Sequence, residues 1–202
     1  MKPEPIQTKF DGHLFRSRLE ARWAVFFKHQ NLSYSYEPEG FKLKAGNYLP
    51  DFFVFTACSD PKSKLNYWVE IKPYGIGEPN DPRYFELVEK SGFPLFVLAG
   101  QPGDPTEGVG RLQENPNYVG WKFEVGKKAG PDFPYFWCQC WDCGRSGILK
   151  EGSTMKENPH AEYCVYVTKD GYIPASHIDE HKHSQMLSSY DIAKSERFGV
   201  HD

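Results

Sequence analysis

With 202 residues, including 15 Phe, 12 Tyr and 5 Trp, the chain can bury a substantial core in one domain and carry a small appended module; it is no disordered polymer. A formal net charge of -3 excludes a generally basic protein that coats DNA. The charge is uneven: residues 1–100 hold 13 Lys and Arg against 12 Asp and Glu, and residues 101–202 hold 11 against 15, so the first half is better suited to meet phosphate.

In chain order, residues 12–30 read as a helix, because Phe15, Leu19, Trp23 and Phe26 form one apolar stripe. Ser33 to Glu37 alternates like a strand, and Phe41 to Leu43 reads as another short one. Leu49 to Thr56 is a strongly apolar strand entered through Pro50, and Tyr67 to Lys72 is the next. The polar stretch Cys58–Asn66 between them suits the loop of a hairpin. Pro73 to Pro82, with two Gly and three Pro, is irregular. Pro82 suits the first turn of a helix to about Lys90, capped by Asp81. Pro94 to Ala99 is a short buried strand, 100–117 a connection, and Tyr118 to Val125 a late strand. A boundary is expected at Gly126 to Pro134, giving a core over 1–125 and a module over 126–202. Ser184 to Arg197 reads as a closing helix stopped by Gly199, packing Leu187, Tyr190 and Phe198 on the body or on a partner.

The informative feature is Leu49-Pro50-Asp51 followed by Glu70-Ile71-Lys72. Glu70 and Lys72 share one strand face, and a hairpin brings Asp51 close to Glu70. Two neighbouring carboxylates repel each other unless a cation lies between them, and oxygen ligands select hard ions such as Mg²⁺ or Mn²⁺. Such an ion polarises a phosphodiester and lowers the pKa of a bound water, and Lys72 beside it would orient that water or stabilise developing charge. Glu20, at the margin of the first helix's apolar stripe, would be a third acid turned inward. The competing structural account has Asp51 starting a turn, a Glu70–Lys72 salt bridge, and Glu20 paired with Arg16.

The segments Phe15 to Ala24, Tyr36 to Phe41, Tyr48 to Phe52 and Trp68 to Pro73 together resemble the PD-(D/E)XK nuclease superfamily, in a branch common in phage and prophage genomes. The resemblance covers about residues 10–100. It implies a restriction-endonuclease-like mixed β-sheet flanked by helices, an α/β fold, and Mg²⁺-dependent cleavage of DNA. By motif position it implies that Asp51 and Glu70 hold metal, that Lys72 assists the attacking water, and that Glu20 is an accessory acid. Arg16, Arg18, Arg22, Lys42, Lys44, Lys62 and Lys64 are candidate DNA-backbone contacts, with Lys62 and Lys64 on the hairpin loop.

Five Cys, three of them crowded, fit metal binding in a reducing, cytosolic compartment better than a disulfide framework. Cys140-x2-Cys143 with His160-x3-Cys164 offers a tetrahedral Zn²⁺ site, with Cys138 as an alternative ligand. Trp137, Trp141, Tyr163 and Tyr166 are candidate exposed aromatics for stacking on bases. His177, His181 and His183 read as a solvated polar segment. No apolar run approaches the roughly 20 residues of a membrane span, and no signal peptide is evident. The expected partner is DNA, with a homodimer if both strands are cut. The alternative is a nuclease-like fold that binds nucleic acid or a host protein through the zinc module.

Overall fold

The computed structural model describes residues 5–55, 66–75, 79–103, 121–129, 135–139, 146–150 and 184–199. Its organising element is β7 (Tyr67–Lys72), which lies inside a six-stranded mixed sheet. The sheet order is β10 (Lys127–Ala129), β9 (Trp121–Glu124), β8 (Leu95–Ala99), β7, β6 (Phe52–Phe55), β3 (Ser33–Tyr36). β7 and β8 are parallel and every other pair is antiparallel. A parallel neighbour needs a crossover, and α2 (Pro82–Ser91) supplies it.

Both faces of the sheet are covered, which explains why β7 and β8 read as nearly continuous apolar runs. On one face Tyr67, Val69, Ile71, Phe96 and Leu98 pack with α1 (Arg18–His29). On the other, Trp68, Leu95, Val97 and Phe123 pack with Tyr84, Leu87 and Val88 of α2. The alternation puts Glu70, between Val69 and Ile71, on the α2 side.

The second helix follows its sequence signals closely. Pro82 takes the first turn, Asp81 accepts the Arg83 N–H at 2.9 Å, and Gly92 ends the helix at φ 74°. The first helix does not. It begins at Arg18 rather than at residue 12, because Asp11 and Gly12 at φ 49° and 79° turn a hairpin between β1 (Thr8–Phe10) and β2 (His13–Phe15). Asp-Gly with both residues at positive φ is the chemistry of a two-residue hairpin loop. Phe15, counted above in the helical stripe, is a fully buried strand residue.

The expected strand from Leu49 starts only at Phe52. Before it, β5 (Gly46–Tyr48) pairs with β4 (Phe41–Leu43), a hairpin absent from the sequence reading. The late strand is seen over Trp121–Glu124, the start of the expected span lying outside the described residues, and its hairpin partner β10 falls within the boundary segment expected at Gly126 to Pro134. β11 (Tyr135–Gln139) pairs with β12 (Ser146–Lys150). From this ribbon Trp137 and Ile148 join the core cluster on α1, as do Tyr190 and Ala193 of α3 (Ser184–Ser195). Trp137 is 1% exposed, against Phe26 and Phe27 at centroid distances of 5.1 and 6.1 Å. It is therefore core, not a base-stacking surface. Tyr190 stacks on Phe26 at 5.0 Å and Phe198 meets Phe10 edge-on at 6.2 Å. The side chain of Leu187 lies outside the described residues. Among the described residues no helix is long and apolar enough to cross a membrane.

Candidate active site

β6 and β7 pair Phe52 with Val69, so the next rung sets Asp51 against Glu70. Both acids are buried, at 4% and 5% exposure. Pro50 precedes Asp51 and has no N–H to give a ladder. Asp51 is tied instead through its side chain and its carbonyl. Its Oδ2 accepts the Ile71 N–H at 2.7 Å, and its carbonyl accepts the Glu37 N–H at 2.9 Å. Its Oδ1 accepts from the Arg16 guanidinium at 2.7 Å.

Glu70 is equally engaged. Oε2 accepts from the Tyr48 hydroxyl at 2.6 Å and Oε1 pairs with Lys72 Nζ at 2.5 Å. Burial and the facing Glu70 carboxylate push the Asp51 carboxyl well above its ordinary value, against the opposing pull of the Ile71 amide and Arg16. Burial and the Glu70 charge likewise raise the Tyr48 hydroxyl, so Tyr48 keeps its proton and donates a hydrogen bond to Glu70.

Glu20 is turned inward, as its place on α1 suggested, and is 8% exposed. Its role is local, however. Ser17 caps α1 by accepting the Glu20 N–H at 3.2 Å, and the Ser17 hydroxyl donates to Glu20 Oε1 at 2.7 Å. Tyr36 donates to Oε2 at 2.6 Å. A Ser-x-x-Glu pair at a helix start is a sequence-level capping signal, and Ser17 could have been found by it. Among the described residues no group of three or more His, Cys, Asp and Glu side chains is close enough to share one ion. Glu20 thus stands apart from the Asp51–Glu70 pair as an electrostatic neighbour, adding to the upward push on Asp51.

Of the expected phosphate contacts, Arg16 is drawn into the site. It pairs with Glu37 at 2.5 Å as well as with Asp51, not with Glu20. Arg22 bonds the Gln101 side chain, and the Nε atoms of Arg18 and Arg22 are buried with no hydrogen-bond partner among the described residues. Lys42 and Lys44 are exposed on the β4–β5 hairpin, where the Lys44 N–H donates to Glu86. Lys62 and Lys64 lie outside the described residues, as do Cys140, Cys143, His160, Cys164, Trp141, Tyr163, Tyr166, His177, His181 and His183. Cys138 falls on β11, its backbone opposite Gly147.

The donor set suits a hard divalent cation. Asp51 and Glu70 offer oxygen alone, and their adjacency in a poorly solvated setting is costly without a positive charge between them. Tyr36, Glu37 and Tyr48, which complete the network, entered the sequence reading only as members of the family-like segments, with no role in the site. Their importance depends on hairpin geometry that local pattern does not encode.

Comparison with protein-family models, with curated proteins and with solved structures found no match.

Proposed function

We propose that this chain is a metal-dependent deoxyribonuclease, an endonuclease with a restriction-endonuclease-like core of the PD-(D/E)XK type, of phage or mobile-element origin. The observation that carries the reading is that Asp51, just before β6 and one rung beyond the Phe52–Val69 pair, lies against Glu70 of β7, with Lys72 bound to Glu70 on the same strand face. Two buried acids and one cation converge where β7 leaves the sheet. A salt bridge alone would need only one acid.

Asp51 and Glu70 would hold Mg²⁺ or Mn²⁺. When bound, the ion would supply Lewis-acid polarisation of a phosphodiester and acidify a bound water. The residues do the positioning. The Ile71 amide fixes the orientation of the Asp51 carboxylate, and Tyr48 fixes that of Glu70. Lys72 is 34% exposed at its side chain, so its ammonium reaches from Glu70 toward solvent, where it can orient a nucleophilic water or balance charge on a phosphate.

The test is incubation of purified protein with linear, circular and branched DNA plus Mg²⁺ or Mn²⁺, beside Lys72→Ala and Asp51→Ala. Cleavage by wild type and its loss in both variants supports the reading. Wild type and variants behaving alike would sink it.

One observation favours a second reading. The charges of Asp51, Glu70, Lys72 and Arg16 are satisfied by one another, as in a fold that keeps the framework and works by binding nucleic acid or a host protein. Specific DNA binding by a chain that never cleaves in either metal would select it. For the cysteine module we propose one structural Zn²⁺ held by Cys140, Cys143, His160 and Cys164. Elemental analysis finding no zinc in purified protein would end that proposal.

A further inference from the structure

Arg16 sits at the centre of a set of contacts that phosphate binding alone does not explain. Its backbone N–H donates to the Tyr36 hydroxyl at 2.9 Å, and Tyr36 is itself tied to Glu20. That anchor fixes where the side chain starts. The guanidinium then spans two acids, Nε to Glu37 at 2.5 Å and Nη2 to Asp51 Oδ1 at 2.7 Å. Asp51 Oδ2 is committed to the Ile71 N–H. Among the described residues, the buried Asp51 carboxylate accepts from these two donors, Arg16 and the Ile71 amide, and of the two only Arg16 is a side chain that can swing away. An amide in a β-strand cannot leave. An arginine side chain with 52% exposure can.

From this geometry, and resting on the metal-dependent reading above, we propose that Arg16 is an exchangeable internal cation. It neutralises Asp51 in the metal-free protein, and a divalent ion competes with it for Oδ1. The displaced guanidinium is then free for a phosphodiester oxygen of the substrate, so metal binding and phosphate binding are coupled through one side chain. The chemistry is consistent at each position. A guanidinium forks onto carboxylate and phosphate equally well, whereas a strand amide serves only the carboxylate. Glu37, whose Oε1 makes an ion pair with Arg16 Nε, holds the guanidinium near the site when Asp51 is given up.

The experiment is Mn²⁺ titration by calorimetry on wild type, Arg16→Met, Arg16→Lys and Asp51→Asn, with circular dichroism to verify folding. A second arm measures binding of a short duplex in Ca²⁺. Loss of the competitor should tighten Mn²⁺ binding in Arg16→Met by roughly tenfold, the scale of one charge-assisted hydrogen bond. Arg16→Lys, which keeps the charge but not the fork, should fall between, and it carries the test if the Met variant does not fold. In the second arm Arg16→Met should bind the duplex less tightly than wild type when metal is present, and equally when it is absent. Equal or weaker Mn²⁺ affinity in the Arg16 variants, with Asp51→Asn still losing it, overturns the exchange while leaving the metal site standing. Mn²⁺ binding in none of the proteins overturns both.

Discussion

Tyr48 and Glu70 are joined by a 2.6 Å hydrogen bond between two nearly fully buried side chains, and this bond links the β4–β5 hairpin to the candidate active site. Tyr48 is further held by the Arg83 guanidinium over its ring at 5.2 Å. A carboxylate that must present one oxygen to an ion works best when its other oxygen is fixed. Tyr48→Phe removes the hydroxyl and leaves the ring packing. Under the proposed function, Mn²⁺ affinity and cleavage should fall by about tenfold, the lower end of what loss of a partner to a metal ligand costs. Thermal melting should shift little by comparison. Unchanged metal affinity with a lowered melting temperature would make Tyr48 a purely structural residue.

Gly103 lies at φ 73°, and a Cβ there would sit 2.7 Å from Cγ of Tyr190. Tyr190 is 3% exposed and stacked on Phe26, so its ring has no room to retreat. Gly92 at φ 74° has nothing within 4 Å of its would-be Cβ. Gly92→Ala should therefore cost only the left-handed backbone penalty, about 1 kcal/mol. Gly103→Ala should add an overpacking cost and reach about 3 kcal/mol in all. Urea denaturation of the two variants measures the difference directly. Equal destabilisation would mean that the α1–α3 contact yields without cost.

The contrast between these glycines parallels what the sequence could and could not announce. α2 was legible from its start, because Asp81 and Pro82 are local signals whose chemistry acts within one turn; Gly92, the left-handed residue that ends it, is a signal of the same kind that the sequence reading did not use. The strands around Asp51 and Glu70 were legible because β-branched and aromatic residues mark a buried sheet. The β1–β2 hairpin was missed although Asp11-Gly12 signals it, because Phe15 falls four residues before Leu19 and mimics a helical stripe. β5 was missed because Gly46-Asn47-Tyr48 is short and mostly polar, and only its pairing with β4 makes it a strand. The acid pair could be read from strand order. The partners of each oxygen could not, because Arg16 reaches Asp51 across 35 positions and Tyr48 reaches Glu70 across 22.

The cap of α2 gives a pH dependence with a definite sign. The hydrogen bonds and charge of Arg83 hold the Asp81 carboxyl below its ordinary value of 3.8. A group whose folded pKa is depressed contributes stability that is fully present above the unfolded value and lost as pH falls through the folded one. Asp81→Asn keeps a capping oxygen but not the charge. The wild type should therefore exceed Asp81→Asn by about 0.5 kcal/mol near neutral pH, small because the ion pair is partly solvated. The gap should close as pH drops below about 4. Asp81→Ala, which loses the cap as well, should cost about 1 kcal/mol even where the charge is gone. Denaturation curves of the three proteins between pH 7 and 2 check both statements, and a gap that widens on acidification would refute the assignment.

Trp137 tests whether the β11–β12 ribbon is an appendage or part of the body built on the six-stranded sheet. It lies on β11, beyond the sheet, yet it is 1% exposed against Trp23, Phe26 and Phe27 of α1. α1 carries Ser17 and Glu20 at its start, and Tyr36 links Glu20 to Arg16. Loss of packing on the helix should therefore be felt at the site as well as in stability. Trp137→Ala should destabilise the protein by about 4 kcal/mol, the range for deleting a fully buried Trp. Trp137→Phe, which keeps most of the contact, should cost markedly less. Fluorescence-monitored denaturation gives the first quantity, and Mn²⁺ titration of the folded Phe variant shows whether the site stays intact. A Trp137→Ala protein with wild-type stability would mean that the β11–β12 ribbon is dispensable to the core.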